Sequence, residues 1–206
     1  MSVTIDYFYT HISPWAYLGH AAFVDLAKRH GVSIRPRPVD LPGLFESTGG
    51  LPLAKRHPAR QAYRFVEMQR WSAFRGLPLT LKPKHFPTPP RLADCLAIAV
   101  ARAGGPVLDL TARLFEAVWV KDQDIADPAV LTGILQELGL DAAALLESAA
   151  SEAVQADYAA NQADAIAQGL IGSPTYIFNG EPFWGQDRLD LLEAALVSGR
   201  APYRPV

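Results

Sequence analysis

The chain is nearly without cysteine. Cys95 stands alone among 206 residues, so no disulfide can form within the chain, no dithiol can cycle, and no cysteine-based zinc site can be assembled. Histidine is scarce as well. His11, His20, His30, His57 and His85 form no HxxxH or HExxH pair, and no metal is expected. Charge is balanced: Lys plus Arg number 19, Asp plus Glu 21, for a net charge of -2. That balance argues against a nucleic-acid partner, which would need an excess of cations to neutralise phosphates. No uncharged apolar run reaches the roughly 18 residues of a membrane span. The first residues, Met1 to Tyr9, carry an acid and alternate in character. They lack the basic start and apolar stretch of a secretory leader, and a cytoplasmic location is expected.

What the chain has in quantity is apolar surface. Apolar residues make up 50% and charged residues 19%, enough for a sizeable core in one domain or in one domain carrying a large insertion. Val3 to Tyr9 is β-branched and aromatic and reads as a buried strand. Thr10-His11-Ile12 is a turn, Ser13 a favourable N-cap and Pro14 a favourable first helical residue. Trp15 to His30 reads as a helix stopped by Gly31. Val32 to Val39 alternates apolar with basic residues, and its prolines suggest an edge strand. This β-α-β order implies parallel strands. Leu41 to Pro58, rich in Gly and Pro, reads as a loop. Ala59 to Arg75 has no breaker, and Tyr63, Val66, Arg70 and Phe74 recur at helical steps. Further helices are expected over 91–103, 107–120, from Asp127-Pro128 to near Gly139, after Asp141, and over 152–168. Thr175 to Phe178 and Glu181 to Trp184 read as strands joined by Asn179-Gly180, a strong hairpin signal. A helix opened by Asp187 ends the pattern. The expected plan is an α/β unit over 1–40 and 152–206, interrupted by an all-helical insertion over 41–151.

Three segments carry a resemblance: Tyr7-Phe8-Tyr9 with His11-Ile12-Ser13-Pro14-Trp15-Ala16-Tyr17-Leu18-Gly19, then Gly172-Ser173-Pro174-Thr175, then Phe183-Trp184-Gly185-Gln186-Asp187-Arg188-Leu189. In this order the chain resembles the DsbA-like thioredoxin-fold family, and within it the 2-hydroxychromene-2-carboxylate isomerases and kappa-class glutathione transferases. The resemblance implies a thioredoxin-like fold with a large helical insertion, glutathione as cofactor, a small aromatic carboxylate as substrate, and a homodimer. It also implies cis-trans isomerisation of 2-hydroxychromene-2-carboxylate to trans-o-hydroxybenzylidenepyruvate. A kappa-like transferase and a non-catalytic thioredoxin-fold binding protein are the alternatives.

Read locally, Ser13 is an N-cap. The resemblance gives it a catalytic role. Oxidoreductase relatives place Cys-x-x-Cys at this helix start, whereas Ser13 and Ala16 stand here. A hydroxyl above the positive end of a helix could hold a thiolate supplied from outside. Nothing in the sequence indicates a Ser-His-Asp arrangement that would make Ser13 a nucleophile. The resemblance further makes Pro174 a cis-proline facing Ser13 and Ser173 a main-chain partner of the cysteinyl unit. Asp187 would take the γ-glutamyl ammonium, with Gln186 beside it. A family pattern of Asn followed by Lys-x-x-Tyr-x-x-x-Asp-x-x-Arg corresponds here to Arg60, Tyr63, Glu67 and Arg70, and the Asn has no counterpart in 49–58. Lys55, Arg56 or Arg60 is then a candidate for the glycyl carboxylate. Lys55, Arg56, Lys82 and Lys84 are candidates for the substrate carboxylate. Trp15 and His85 are expected to border the substrate pocket, and Cys95 to be buried and inert.

Overall fold

A computed structural model describes residues 3–204; residues 1–2 and 205–206, the outer ends of the expected α/β unit, lie outside the described residues. Four strands form one sheet in the order β2-β1-β3-β4. Strand β1 (Thr4–Tyr9) runs parallel to β2 (Ser33–Pro38) and antiparallel to β3 (Thr175–Phe178), which pairs antiparallel with β4 (Glu181–Trp184). Helix α1 (Pro14–Arg29) makes the crossover between β1 and β2. The prolines of β2 and Pro182 of β4 sit on the two edge strands, where a missing N–H costs least. Asn179 and Gly180 both have positive φ, 51° and 76°, as a tight hairpin turn requires.

Strand β1 is central because both its faces are covered. Ile5, Tyr7 and Tyr9 point into the larger core and Phe8 into a smaller one, and all four are fully buried. On the larger side Tyr7 stacks on Tyr9 at 4.4 Å and on Tyr176 at 5.5 Å, with Phe23 of α1 at 5.0 Å. Offset aromatic packing of this kind adds to the area buried. On the other side Phe8 meets Val39, Leu44, Ala165, Leu170 and Ile177.

That smaller core explains why the stretch after β2 is not a loop. Leu41–Thr48 is helical (α2), closed by Gly49 in the left-handed region at φ 78°, and Leu53–Lys55 forms one tight helical turn. Burial of Leu44 outweighs the Gly and Pro content. Pro42 falls in the first turn, and Gly43 lies where a Cβ would come within 2.7 Å of the Asp40 carboxylate. Helix α3 (Pro58–Arg75) forms as the periodicity implies, but the stripe of Tyr63, Val66 and Phe74 faces outward. Met68 is the buried side chain of α3, with Phe65 and Trp71 packed beside it.

The remaining helices are α4 (Arg91–Arg102), α5 (Val107–Trp119), α6 (Pro128–Glu137), α7 (Ala142–Ala150), α8 (Glu152–Ala167) and α9 (Leu189–Ser198). Asp127, Asp141 and Ser151 cap α6, α7 and α8 through their side chains. Asp187 does not open α9 directly. Gln186–Arg188 form a tight turn first, and no side-chain cap precedes α9. Helix α4 is buried continuously from Ala93 to Val100. Cys95 lies within that run, where Gln155 donates to its sulfur at 3.3 Å and burial pushes the thiol pKa up.

His20 of α1 is buried between Tyr7 and Phe115. Its Nε2 donates to the Leu108 carbonyl at 3.1 Å, and its Nδ1 has no partner among the described residues. Desolvation brings its pKa from 6.5 down to about 4. Between these two values the unfolded chain holds the proton and the folded chain does not. Stability should therefore rise with pH across that window and level off above it. The shift corresponds to about 3 kcal/mol at most. Urea unfolding at pH 4.5 and 7.5 should show a smaller acid loss for His20→Gln than for the wild type, by on the order of 2–3 kcal/mol. Equal losses in the two proteins would contradict the assignment.

Candidate active site

The end of β1 turns through Thr10, His11 and Ile12 into α1, with the Ser13 N–H closing the turn on the Thr10 carbonyl at 3.1 Å. Ser13 is the N-cap, in extended conformation, and only 2% exposed. Its Oγ accepts from the Ala16 N–H at 3.2 Å and donates to the Ser173 carbonyl at 3.0 Å. In return the Thr10 N–H donates to the Ser173 hydroxyl at 3.3 Å. The Ser173–Pro174 peptide is cis. The helix start and the Pro174 segment are thus joined through Ser13 and Ser173, across 160 residues of sequence.

The first turn of α1 carries no acid, so its dipole is uncompensated by any nearby carboxylate of its own. Pro14 has no N–H, the Ala16 N–H is taken by Ser13 Oγ, and the Tyr17 N–H goes to the Ser13 carbonyl. The Trp15 N–H has no acceptor among the described residues. One open backbone donor and one rotatable hydroxyl therefore stand together at the positive end of the helix, an arrangement suited to an anion.

Asp94 of α4, which sequence reasoning passed over, organises the turn before Ser13. Its Oδ2 accepts from the Thr10 hydroxyl at 2.9 Å. Its Oδ1 accepts from the His11 N–H at 3.2 Å and from His11 Nδ1 at 2.6 Å. Asp94 and His11 are both fully buried. A carboxylate can only accept, so His11 carries its proton on Nδ1. His11 Nε2 has no partner among the described residues. Ser13 makes its bonds elsewhere, so serine, histidine and aspartate lie close in the chain's fold without forming a hydrolase triad. Trp119 completes the turn's support: its indole N–H donates to the His11 carbonyl at 3.2 Å. One signal for Asp94 was present, a lone acid inside the alanine-rich run of α4.

The third segment of the resemblance lies beside α1. The Gly185 N–H donates to the Pro174 carbonyl at 2.9 Å. Gln186 packs against Gly19, where a Cβ would come within 2.5 Å of the Gln186 Cβ. Gln186 is buried, and its amide oxygen accepts from Arg75 at 3.1 Å while its backbone carbonyl accepts from the same guanidinium at 3.2 Å. Its amide nitrogen has no partner among the described residues. Asp187 is exposed and pairs with Arg188 at 2.6 Å. Ser13, Ser173, Pro174, Gln186 and Asp187 therefore belong to one connected region.

Apart from Arg75, the α3 residues that the resemblance singled out, Arg60, Tyr63, Glu67 and Arg70, make no hydrogen bond to that region among the described residues. Arg60 is exposed, and Tyr63 is 57% exposed. Arg70 reaches Glu67 at 2.5 Å and the Tyr63 hydroxyl at 3.5 Å, which holds the Glu67 carboxyl below its usual range. Trp15 is half-buried against the core. His85 lies 3.8 Å from Asp124, in a loop whose Phe86 ring packs at 5.3 Å on Trp119. Hydrogen bonds from the Thr88 hydroxyl and the Ala126 N–H keep the Asp124 carboxyl low. Among the described residues no three His, Cys, Asp or Glu side chains cluster as metal ligands would, and no helix is long and apolar enough to cross a membrane. A cavity of about 190 Å³ opens between Tyr17, His20, Leu77, Pro78, Phe115 and Val120.

Residues 4–197 match the family model described as a DSBA-like thioredoxin domain. The chain is 32% identical over 200 residues to a 2-hydroxychromene-2-carboxylate isomerase of Sphingobium xenophagum, covering 96% of this chain and all of that protein. It is 22% identical over 200 residues to glutathione S-transferase kappa 1 of Rattus norvegicus, covering 91% and 88%. Among solved structures, a 2-hydroxychromene-2-carboxylate isomerase superimposes with a TM-score of 0.83 at 25% identity, covering 95% of each chain. The sheet with its helical insertion is the thioredoxin-like architecture seen across these relatives.

Removing a buried acceptor leaves its donors unmatched. Asp94→Ala strands the Thr10 hydroxyl, the His11 N–H and the His11 ring and should lower stability by about 3–5 kcal/mol in urea unfolding. Thr10→Val, which removes one hydrogen bond to the same carboxylate, should cost about 1–2 kcal/mol. Indistinguishable midpoints for Asp94→Ala and wild type would show that Asp94 does not hold the turn.

Proposed function

This chain belongs to the DSBA-like thioredoxin domain family and is homologous to the 2-hydroxychromene-2-carboxylate isomerases, and from that premise we propose that it is a glutathione-dependent isomerase of small aromatic carboxylates, working in the cytoplasm. The observation that carries the reading is the start of α1. There the Ser13 hydroxyl and the open Trp15 N–H face an acid-free helix end, and the chain has no second cysteine with which to do dithiol chemistry.

Those donors fit a thiolate. Glutathione, when bound, supplies a sulfur nucleophile that adds reversibly to a conjugated carbon, so that a double bond can rotate and then re-form on elimination. The chain's own task is to favour the ionised sulfur, and Ser13 is placed for it. In the free protein the Ser13 proton rests on the Ser173 carbonyl. A backbone N–H of the tripeptide engaging that carbonyl would release the hydroxyl to donate to sulfur. The helix dipole and the Trp15 N–H add to the same field. Pro174 sets the edge along which the cysteinyl unit would lie. Asp187 offers the ammonium a carboxylate, and the Gln186 amide nitrogen can donate to the adjoining carboxylate. Arg60 and Tyr63 would contribute from α3. Trp15 and His85 would border the aromatic substrate. Because Ser13 would serve the sulfur as a hydrogen-bond donor and not as a nucleophile, no base is needed to activate it.

The test is isomerisation of 2-hydroxychromene-2-carboxylate with and without reduced glutathione, with mass spectrometry of the product. The expected result is glutathione-dependent turnover, product free of the tripeptide, and a fall in kcat/KM on the order of a hundredfold in Ser13→Ala. Product carrying the tripeptide would assign the protein to conjugation. Turnover indifferent to glutathione would sink the reading.

A further inference from the structure

We infer that Arg64 is the cation that binds the carboxylate of the aromatic substrate; this deepens the isomerase reading and rests on it for the identity of the substrate class. Arg64 lies on α3, part-buried, with neither an acid nor any hydrogen-bond acceptor among the described residues. Its guanidinium stands over the rings of Phe65 at 5.9 Å and Phe86 at 5.8 Å. Lys82 lies over the other contact of the same group, the Phe65 ring, at 5.6 Å. Arg56 stands near enough to repel Arg64, and Arg60 near enough to repel Arg56. The one acid of α3, Glu67, is paired with Arg70.

A part-buried guanidinium among cations and without an anion is costly unless a ligand supplies the missing charge. Burial and the neighbouring Arg56 bring the Arg64 pKa down to about 10, which expresses the same deficit while leaving the group charged at neutral pH. The surroundings also say what kind of anion fits. A guanidinium matches a carboxylate with two parallel hydrogen bonds, and Phe65 and Phe86 offer ring faces beside it, so the ligand is an aryl carboxylate. The location agrees. Phe86 packs on Trp119 at 5.3 Å, and the Trp119 indole donates to the carbonyl of His11, two residues before Ser13. Arg64 is thus joined to the Ser13 turn through two ring contacts. His85, next to Phe86, falls on the same path. Lys55, Arg56, Lys82 and Lys84, the candidates named for this role once the resemblance was drawn, are more exposed or, in the case of Arg56, bonded to the Leu51 carbonyl.

The experiment is calorimetric titration of wild type, Arg64→Gln and Arg64→Lys with 2-hydroxycinnamate, with its methyl ester, and separately with reduced glutathione. The expected result is that Arg64→Gln weakens 2-hydroxycinnamate by about tenfold or more, that Arg64→Lys falls between, and that the ester binds wild type and Arg64→Gln alike. Glutathione affinity should stay within about twofold in all three proteins, since the Ser13 donors are untouched. Equal affinity of wild type and Arg64→Gln for 2-hydroxycinnamate would overturn the inference, as would a wild type that binds acid and ester equally. A wild type that takes the acid through Arg64 but does not take glutathione would uphold the Arg64 site and overturn the thiol reading, so the two failures are separate.

Discussion

One buried carboxylate sets the geometry on which the site depends. Asp94 reaches out of α4 and gathers the Thr10 hydroxyl, the His11 N–H and the His11 ring. Without those donors the carboxylate would be an unmatched charge in the core, and without the carboxylate the turn would lose three anchors. The arrangement demands close approach of α4 to the sheet, and the alanines around Asp94 make that possible. Trp119 of α5 fixes the same turn from another side through the His11 carbonyl. Ser13 is therefore held by elements of the helical insertion as well as by the strand it follows.

The same turn determines what chemistry is available. With Ser13 and Ala16 at the start of α1, the helix keeps its field and loses any redox thiol. Ser13 is committed at rest to Ala16 and Ser173, so its hydroxyl is oriented before a ligand arrives. Gly19 and Gln186 bring the turn before α9 against the same helix, with Arg75 holding Gln186 in place. Beneath lies a stack of Tyr7, Tyr9, Tyr176 and Phe23 that leaves α1 little room to shift. Rigid support of this kind is what a site needs to hold donors where charge appears.

Much of the scaffold could be read from local signals. The strand grammar of Val3 to Tyr9, the Ser13-Pro14 helix start, the prolines of the edge strand and the Asn179-Gly180 hairpin each act within a few residues, and each is found in place. The stretch after β2 misled because its Gly and Pro content is local while the burial of Leu44 under Phe8 is not. The Tyr63, Val66, Arg70 and Phe74 period is found as the helix it implies, while the face that meets the core, that of Met68, was not legible because a period alone does not choose it. Asp94 and Arg75 were not legible because their roles arise from partners 83 to 111 positions away, and Arg64 because its role arises from the want of a partner. Ser13, Pro174 and Asp187 came from resemblance, and the fold places them in one connected region.

The measurement that bears most directly on the thiolate-holding role of the α1 start is the ionisation of bound glutathione. Thiolate absorbance near the ultraviolet edge would be followed against pH with saturating wild-type or Ser13→Ala protein. The expected result is a bound-thiol pKa at least one unit below the roughly 8.5 of a free cysteine, moving back toward that value in the variant. A bound thiol that titrates as it does in free solution, alike in both proteins, would contradict the role assigned to Ser13.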